Sequence, residues 1–159
     1  MKTYTAVMLL GCCLAGCSKG PQATPPDYTV RADEVAGEWV LAGASPAVQE
    51  VFLPHRFATS RFFLNTNGMA NYTFLPREEA ASAPGQKMKW VVDSGGGTWE
   101  LRTWQEQGRG VWRVNLLTQA GGVAFRAEKG EEGRIVLAYH SGSDTNAALV
   151  FRRANVNPQ

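Results

Sequence analysis

The residue types that hydrolases use for nucleophilic catalysis cluster in this sequence at His140-Ser141-Gly142-Ser143-Asp144. A catalytic triad needs a nucleophile, a base and an orienting group within hydrogen-bond reach, and its members usually come from separate chain segments. Neither serine lies in a nucleophile-elbow pattern. The stretch is therefore interpreted as a polar hairpin loop, and the sequence predicts neither a catalytic residue nor an enzymatic activity.

The sequence also predicts no metal site, no phosphate-binding loop and no acid pair for glycoside hydrolysis. His55 and His140 are far apart and no carboxylate pattern accompanies them, so no metal site is predicted. The glycine run 95–97 could suggest a phosphate-binding loop, but a strand rather than a helix is expected after it, and such loops use a helix N-terminus. Glu100 and Glu106 do not form a convincing acid pair for glycoside hydrolysis. The sequence thus predicts no cofactor.

The charge of the chain argues against a nucleic-acid partner. Its 159 residues carry a formal net charge of +2, from 16 basic and 14 acidic side chains, and the two signs are interspersed without a basic stripe. Nucleic-acid binding rests on many phosphate contacts, which such a surface is poorly suited to make.

The first seventeen residues have the pattern of an export signal. Lys2 precedes an apolar run over residues 6–14, which is too short to span a bilayer, since a transmembrane helix needs about 20 apolar residues. The run ends in Leu14-Ala15-Gly16-Cys17. This ending resembles the lipobox of bacterial lipoprotein signal peptides. The alternative is an ordinary secretory signal in which Cys17 is a plain thiol.

The lipobox resemblance implies a location and a membrane anchor. In that family the signal peptide, here residues 1–16, is cut before the cysteine, and Cys17 would carry the diacylglycerol and palmitate chains. Ser18 follows, where the inner-membrane retention signal of enteric bacteria places Asp, so the resemblance implies an outer-membrane lipoprotein that faces the periplasm. Cys12 and Cys13 would leave with the signal, so the mature chain would have neither a free thiol nor a disulfide.

The rest of the chain is interpreted as one domain behind a tether. Residues 18–26 are polar and rich in Pro and Gly, which is typical of a flexible-to-extended tether, so residues 17–26 are assigned to the lipidated cysteine and its tether. Residues 27–159 have a size that suits a single domain with a full hydrophobic core.

This domain is predicted to be all-β with one short helix. Ser45 is a good N-cap and Pro46 suits the first helical position, which predicts a helix over residues 46–53. Val48, Val51 and Phe52 would form its apolar stripe. The other patterns have a period of two and predict nine strands, at residues 39–42, 61–64, 69–75, 88–92, 98–104, 111–118, 123–128, 134–139 and 147–153.

Short turns connect the predicted strands. Asn67-Gly68 between two apolar runs is a strong hairpin signal, and residues 93–97 are expected to form a glycine-rich turn. Sequential hairpins without a long crossover predict an antiparallel meander of about eight to nine strands. Closure into a barrel would remove the exposed sheet edges, and a two-sheet sandwich is the alternative.

The start of the domain carries a resemblance to a known family. Gly37-x-Trp39 follows a short turn and opens the first strand, and a small helix and a run of hairpins follow. This arrangement, over residues 30–153, resembles the lipocalin-like (calycin) barrels, in particular small bacterial lipoproteins with such a domain. The resemblance implies that Trp39 closes one barrel end and that a late arginine, Arg152 or Arg153, packs across its ring. The helix that follows the barrel in true lipocalins is not found.

Four tryptophans in three consecutive predicted strands are the remaining feature. They are core residues, or they line an aromatic cavity or an exposed patch; the candidate ligand-binding residues are Trp90, Trp99, Trp104, Trp112 and Tyr72. Trp99 and Trp104 differ by an odd number, so a regular strand points them to opposite faces.

These patterns favour a non-enzymatic binding module. The leading hypothesis is an outer-membrane-anchored barrel that holds a small apolar or amphipathic ligand in its interior. A barrel packed solid with side chains would argue against it. The second hypothesis is a protein-interaction lipoprotein that braces an envelope assembly, or inhibits a periplasmic enzyme or toxin, in which case an exposed aromatic patch is expected.

Overall fold

A computed structural model describes residues 24–51, 60–79, 89–141 and 148–154. It contains two short α-helices, α1 (Ala32–Val35) and α2 (Pro46–Val51), and one 3-10 turn at Glu131–Gly133. Its eight strands are β1 (Gly37–Ala44), β2 (Arg61–Leu64), β3 (Met69–Glu79), β4 (Lys89–Glu106), β5 (Arg109–Thr118), β6 (Gly121–Lys129), β7 (Ile135–Tyr139) and β8 (Leu149–Arg153). None of the helices in these ranges has the length and apolar character needed to cross a bilayer.

The eight strands form one closed antiparallel barrel in chain order, in which β1 pairs with both β2 and β8. The predicted meander and its closure are confirmed, and the sandwich alternative is wrong. The lower end of the barrel is the end at which β1 begins at Gly37 and β8 ends at Arg153. The upper end is the end at which β4 begins and β7 ends at Tyr139.

The described residues form eight strands instead of the nine predicted, because the expected turn at residues 93–97 is part of a continuous β4. The glycines there allow neighbouring strands to approach closely. A Cβ at Gly97 would lie 2.1 Å from the Leu117 carbonyl oxygen of β5, and one at Gly95 would lie 3.2 Å from the Tyr72 hydroxyl of β3. A glycine run in a strand can therefore mark close backbone approach as well as a turn.

The core is a chain of aromatic rings that runs up the barrel interior. Phe62 lies at its centre, with ring centroids 4.9 Å from Phe151, 5.2 Å from Phe125 and 6.4 Å from Trp39. Phe125 contacts Tyr139 at 6.3 Å, which continues the chain toward the upper end. Aliphatic side chains that are fully buried surround the rings: Leu64, Leu75, Leu116, Leu137, Leu149, Val35, Val48 and Val114.

The lower end is sealed by α1 and Trp39. The fully buried Trp39 indole donates a 2.7 Å hydrogen bond to the Val35 carbonyl at the end of α1. The Arg153 guanidinium donates to the Ala36 carbonyl and lies against Gly37, where a Cβ would approach it to 2.8 Å. Gly37 also has a φ of +134°, which favours glycine. Both the close approach of Arg153 and the positive φ therefore require glycine at position 37.

The arginine at the closed end is Arg153, whereas Arg152 points to the outer surface. Phe151 is fully buried and Arg152 is exposed, as strand alternation requires. The expected stacking of Arg152 on Trp39 is therefore corrected. Within the described ranges, the cation–π contacts are those of Arg113 with Trp104 and of Lys129 with Tyr28.

β3 contains a bulge, and α2 covers most of the predicted helix. The bulge lies between Tyr72 and Leu75, gives Phe74 a φ of +50° and leaves it 42% exposed, so Phe74 does not share the face of the buried Tyr72 as regular alternation would require. The predicted helix over residues 46–53 is found at Pro46–Val51, with Val48 buried; Phe52 lies outside the described residues.

The segment expected to be a tether is partly bound to the barrel. Thr24 bridges to Arg109 of β5, and its carbonyl accepts a 2.7 Å hydrogen bond from the Gly110 N–H. The Tyr28 carbonyl accepts a hydrogen bond from the Trp112 indole, and the Tyr28 hydroxyl donates to Ala127. The chain therefore lies along the lower part of β5 from Thr24 onward. Cys17 and the predicted signal lie outside the described residues.

Candidate functional site

The first candidate site is the upper end of the barrel interior, where polar groups meet the aromatic chain. The half-buried Trp90 contacts Tyr139 edge to face, with centroids 5.6 Å apart. The Glu78 carboxylate accepts a 3.2 Å hydrogen bond from the Tyr139 hydroxyl and another from Ser141. Burial and the negative charge of Glu78 raise the pKa of Tyr139 to about 12. An apolar wall beside the Glu78 carboxylate is thus present at this end.

The two hydrolase-type side chains of the polar loop are held apart at this end. His140 Nε2 lies 3.0 Å from the Glu128 carboxylate, whereas Ser141 donates to Glu78. Because each binds a different carboxylate, the serine and imidazole do not form the nucleophile–base pair that hydrolysis requires. Ser143 and Asp144 lie outside the described residues. Across the described part of the chain, no three His, Cys, Asp or Glu side chains are grouped so that they could hold a metal ion.

Of the five predicted ligand-binding residues, Trp99, Trp112 and Tyr72 each make a side-chain hydrogen bond within the fold. Trp99 is buried and its indole donates a 2.7 Å hydrogen bond to the Asn65 carbonyl in the β2–β3 turn. The half-buried Trp112 binds the N-terminal segment through Tyr28. Tyr72 is buried, and its hydroxyl reaches Asp93 at 3.5 Å. The other two lie elsewhere, Trp90 at the upper end and Trp104 on the outer surface.

The second candidate site is the outer wall of β2–β5. Among the described residues, five large apolar side chains are exposed, and all of them come from these four strands: Phe63, Met69, Phe74, Trp104 and Leu117. The expectation that Trp99 and Trp104 point to opposite faces is confirmed, since Trp99 is 8% and Trp104 is 54% exposed. Apolar exposure is thus concentrated on one side of the barrel.

Three of these side chains lie in one row across β2, β3 and β5 on the outer face, and we call them the apolar belt: Phe63, Met69 and Leu117. The register places Met69 opposite Thr98 and Thr98 opposite Leu117, so Met69 and Leu117 lie about 10 Å apart on one face. Phe63 is opposite Asn71, which makes it a diagonal neighbour of Met69. The exposed Phe74 lies farther up β3, held at its bulge by a 2.9 Å hydrogen bond from its N–H to Ser94.

A charged cluster lies below the belt, around Trp104. The Arg113 guanidinium lies 5.1 Å from the Trp104 ring centroid and donates to the Glu106 carboxylate, which also pairs with Arg126. Burial alone would raise the pKa of Glu106, but hydrogen bonds and charge from the two arginines outweigh it and hold that pKa below its ordinary value. The ring of Trp104 is thereby fixed in an exposed position.

Sequence reasoning missed the partners in both sites. Glu78 and Tyr139 are 61 residues apart in the chain, and Arg113 and Arg126 meet Glu106 only through the β4–β5–β6 register. No spacing in the sequence encodes these contacts. Strand alternation was the available signal for the belt. Phe63 and Leu117 each follow a buried apolar residue, so alternation points both side chains outward.

Comparison of the chain with protein-family models, with curated proteins and with solved structures finds no match.

Proposed function

We propose that this chain is a non-enzymatic binding protein that contacts a protein partner through the outer wall of β2–β5. One observation carries this proposal: the large apolar side chains exposed among the described residues all lie on that wall, while aromatic rings occupy the barrel interior from Trp39 to Tyr139. A concentration of exposed apolar side chains on one side of a domain is typical of an interaction site.

The surroundings of the apolar belt resemble the layout of a protein interface. Ion pairs lie near it, with Arg61 3.3 Å from Glu38 on the β1–β2 side and Arg102 2.7 Å from Glu100 below it on β4. Glu100 also accepts a 3.2 Å hydrogen bond from Asn115. An apolar centre within a polar rim is typical of sites at which proteins associate. The outer wall of a closed barrel is not concave, so it suits a protein better than a small molecule, which binds in concave pockets.

The proposed location is the periplasmic face of the bacterial outer membrane. The support is the sequence Leu14-Ala15-Gly16-Cys17 followed by Ser18. Acyl chains on Cys17 would supply the anchor, since each buried methylene contributes about 0.8 kcal/mol and two or more chains give stable attachment. Palmitate labelling tests this step: the wild type is expected to incorporate label and Cys17→Ser to lose it, and label retained by the variant would contradict it.

A place in the lipocalin-like superfamily is also proposed. The closed eight-stranded meander, the pairing of β1 with β8, and the position of Gly37-x-Trp39 at a sealed end support it. Arg153 at that same end, bonded to the Ala36 carbonyl, is a further point of similarity.

Site-specific photo-crosslinking in the native host tests the protein-binding proposal. A photoreactive residue at Leu117 or Met69 is expected to give a discrete protein adduct, which the same residue at the exposed Ala42 on β1 does not give. The protein identified in the adduct is then purified and its affinity is measured. Leu117→Asp is expected to weaken binding at least about tenfold, the equivalent of 1.4 kcal/mol, and Ala42→Asp to leave it unchanged. Equal adducts from both walls would overturn the proposal.

A second candidate function is retention of a small amphipathic ligand at the upper end. The observation that favours it is the half-buried pair Trp90 and Tyr139 beside the Glu78 carboxylate. Native mass spectrometry of the purified chain tests it, since a ligand would add mass that disappears on denaturation. Trp90→Ala is expected to lower the occupancy of such a ligand, and an apo mass would argue against this function.

A further inference from the structure

The β4–β5 ribbon extends below the strand that precedes it. The lowest pair of β3 with β4 is Met69 with Thr98, whereas β4 continues to Glu106 at the tip of the ribbon. Residues 100–106, here called the β4 overhang, are therefore paired with β5 on one side only within the described part of the chain. Residues 102–105 are all exposed.

The backbone direction identifies the groups at this free edge. The Trp99 N–H donates a 2.8 Å hydrogen bond to the Gly68 carbonyl, so the main chain of Trp99 faces the β3 side. Alternate residues of a strand face the same side, and the β4–β5 register has no irregularity from Gly97 to Glu106. Residues 101, 103 and 105 therefore present their N–H and C=O groups at the free edge, where the described residues supply no partner.

The opposite edge of the same ribbon is covered. The Gly110 N–H faces away from β4 and is bound by the Thr24 carbonyl at 2.7 Å, with Pro26 packed against Gly110. A Cβ at Gly110 would lie 2.6 Å from Pro26, so this cover is close-fitting. Natural proteins protect exposed strand edges, because unpaired edges add strands from other chains. Because the β5 edge is covered and the β4 edge is not, the β4 overhang is the edge that can pair with another strand.

We propose that the β4 overhang binds the same segment of a second copy of this chain, antiparallel and centred on Trp104, to form a symmetric dimer. In this register Thr103 lies opposite the partner's Gln105, and the symmetric pair repeats the contact. Thr103 and Gln105 both present their N–H and C=O groups at the free edge, so each Thr103–Gln105 pair can exchange two main-chain hydrogen bonds. Self-complementary contact of one patch with itself is the geometry of a two-fold dimer.

The outward side chains support this register. Trp104 would lie opposite the partner's Trp104 as an aromatic pair, and Arg102, which pairs with Glu100 in its own chain, would lie opposite the partner's Glu106, which already binds two arginines. Centring on Thr103 sets Glu100 against the partner's Glu106, and centring on Arg102 sets that arginine against itself. Like charges opposite each other are destabilising, so the sequence of the overhang favours one register.

The length of the overhang also fits. With Glu106 of the partner opposite Arg102, the partner strand turns away at Gln107-Gly108, before it reaches the β2–β3 turn that binds Trp99. The contact is short, so we expect a weak dimer whose fraction rises with protein concentration. It uses Trp104 of the outer wall but none of the three side chains of the apolar belt, so Leu117→Asp separates its failure from failure of the proposed function.

Sedimentation velocity of the purified full chain over a concentration series tests the dimer. The wild type is expected to sediment increasingly as a dimer, and Thr103→Pro to remain monomeric, because proline removes an edge N–H that β5 does not use. Gln105→Pro is the second edge variant, should the first unfold on circular dichroism. Leu117→Asp, on the belt, is the control expected to dimerise normally. A wild type that stays monomeric at every concentration, or proline variants that are folded yet dimerise, would overturn the proposal.

Disulfide trapping tests the register. In a chain with Cys12, Cys13 and Cys17 replaced by serine, Trp104→Cys is expected to form an oxidised dimer, since only the central residue faces itself across the axis. Leu117→Cys, equally exposed at 54%, is the matched control expected to give little. Equal trapping of the two cysteines would contradict the proposed register.

Discussion

Two tryptophans five residues apart on β4 show how the two faces of this barrel differ. Trp99 is buried, and its indole N–H is satisfied by the Asn65 carbonyl in the neighbouring turn. Trp104 is 54% exposed, and its ring carries the Arg113 guanidinium instead of other apolar side chains. The inner face is organised around packing and satisfied polar groups, whereas the outer face of β2–β5 holds large apolar side chains in water. The difference points to folding on one face and association on the other.

The largest predicted effect separates the two tryptophans directly. Trp99→Ala is expected to lower the free energy of unfolding by about 3–5 kcal/mol, because it leaves a cavity and an unpaired carbonyl. Trp104→Ala is expected to cost less than about 1 kcal/mol, since it removes only an exposed cation–π contact. Urea denaturation of both variants measures the difference. Similar losses would break the distinction between the two faces.

The second prediction compares two glycines of the same strand. Gly97→Ala is expected to destabilise the fold by about 1–3 kcal/mol, because the added Cβ meets the Leu117 carbonyl oxygen and the backbone must shift. Gly96→Ala is the matched control, since its Cβ would make ordinary 3.5 Å contacts, and a small change or a gain is expected. Thermal unfolding of the pair checks whether this run holds strands close together; equal effects would contradict that role.

A third prediction concerns the charged cluster of the outer wall. Glu106→Gln is expected to lower the free energy of unfolding by about 1 kcal/mol at neutral pH, since two guanidinium groups lose their shared carboxylate. The folded pKa of Glu106 lies below its ordinary 4.5, so this stabilisation is present above pH 4.5 and lost as pH falls through the folded value. Denaturation at several pH values should show wild type and variant converging in acid. A constant difference would contradict the cluster.

The smallest predicted effect lies at the polar end of the interior. Tyr139→Phe is expected to cost about 0.5–1 kcal/mol at neutral pH, the value of one hydrogen bond to Glu78. The folded pKa of about 12 exceeds the ordinary 10.0, so the contribution is present below pH 10 and lost as pH rises toward 12. Ultraviolet titration of tyrosinate should lose a high-pKa phenol in the variant. An unchanged titration curve would contradict the assignment of the high-pKa phenol to Tyr139 beside Glu78.

Periodicity and turn chemistry predicted much of this fold from local sequence. Asn67-Gly68 forms its turn with Gly68 at a φ of +82°, and the opposite orientation of Trp99 and Trp104 followed from strand alternation. The prediction of a turn at residues 93–97 was wrong. Glycine permits both a turn and close contact between strands, and the local sequence does not distinguish the two.

The candidate sites were less predictable because they depend on register. Arg126 reaches Glu106 across two strand pairings, and a shift of one residue in either would point it to the other face. The bulge that turns Phe74 outward has no sequence signal, since it places a bulky residue at a positive φ. The sequence identified the tryptophans as candidate site residues, but it did not predict which side chains surround each of them.

Native mass spectrometry of the chain isolated from its host under gentle conditions tests the protein-binding proposal most directly. We expect a complex whose added mass is that of another polypeptide, and we expect Leu117→Asp to abolish it. A chain that carries only a small molecule of a few hundred daltons, undisturbed by Leu117→Asp and released by Trp90→Ala, would contradict this proposal and assign binding to the barrel interior.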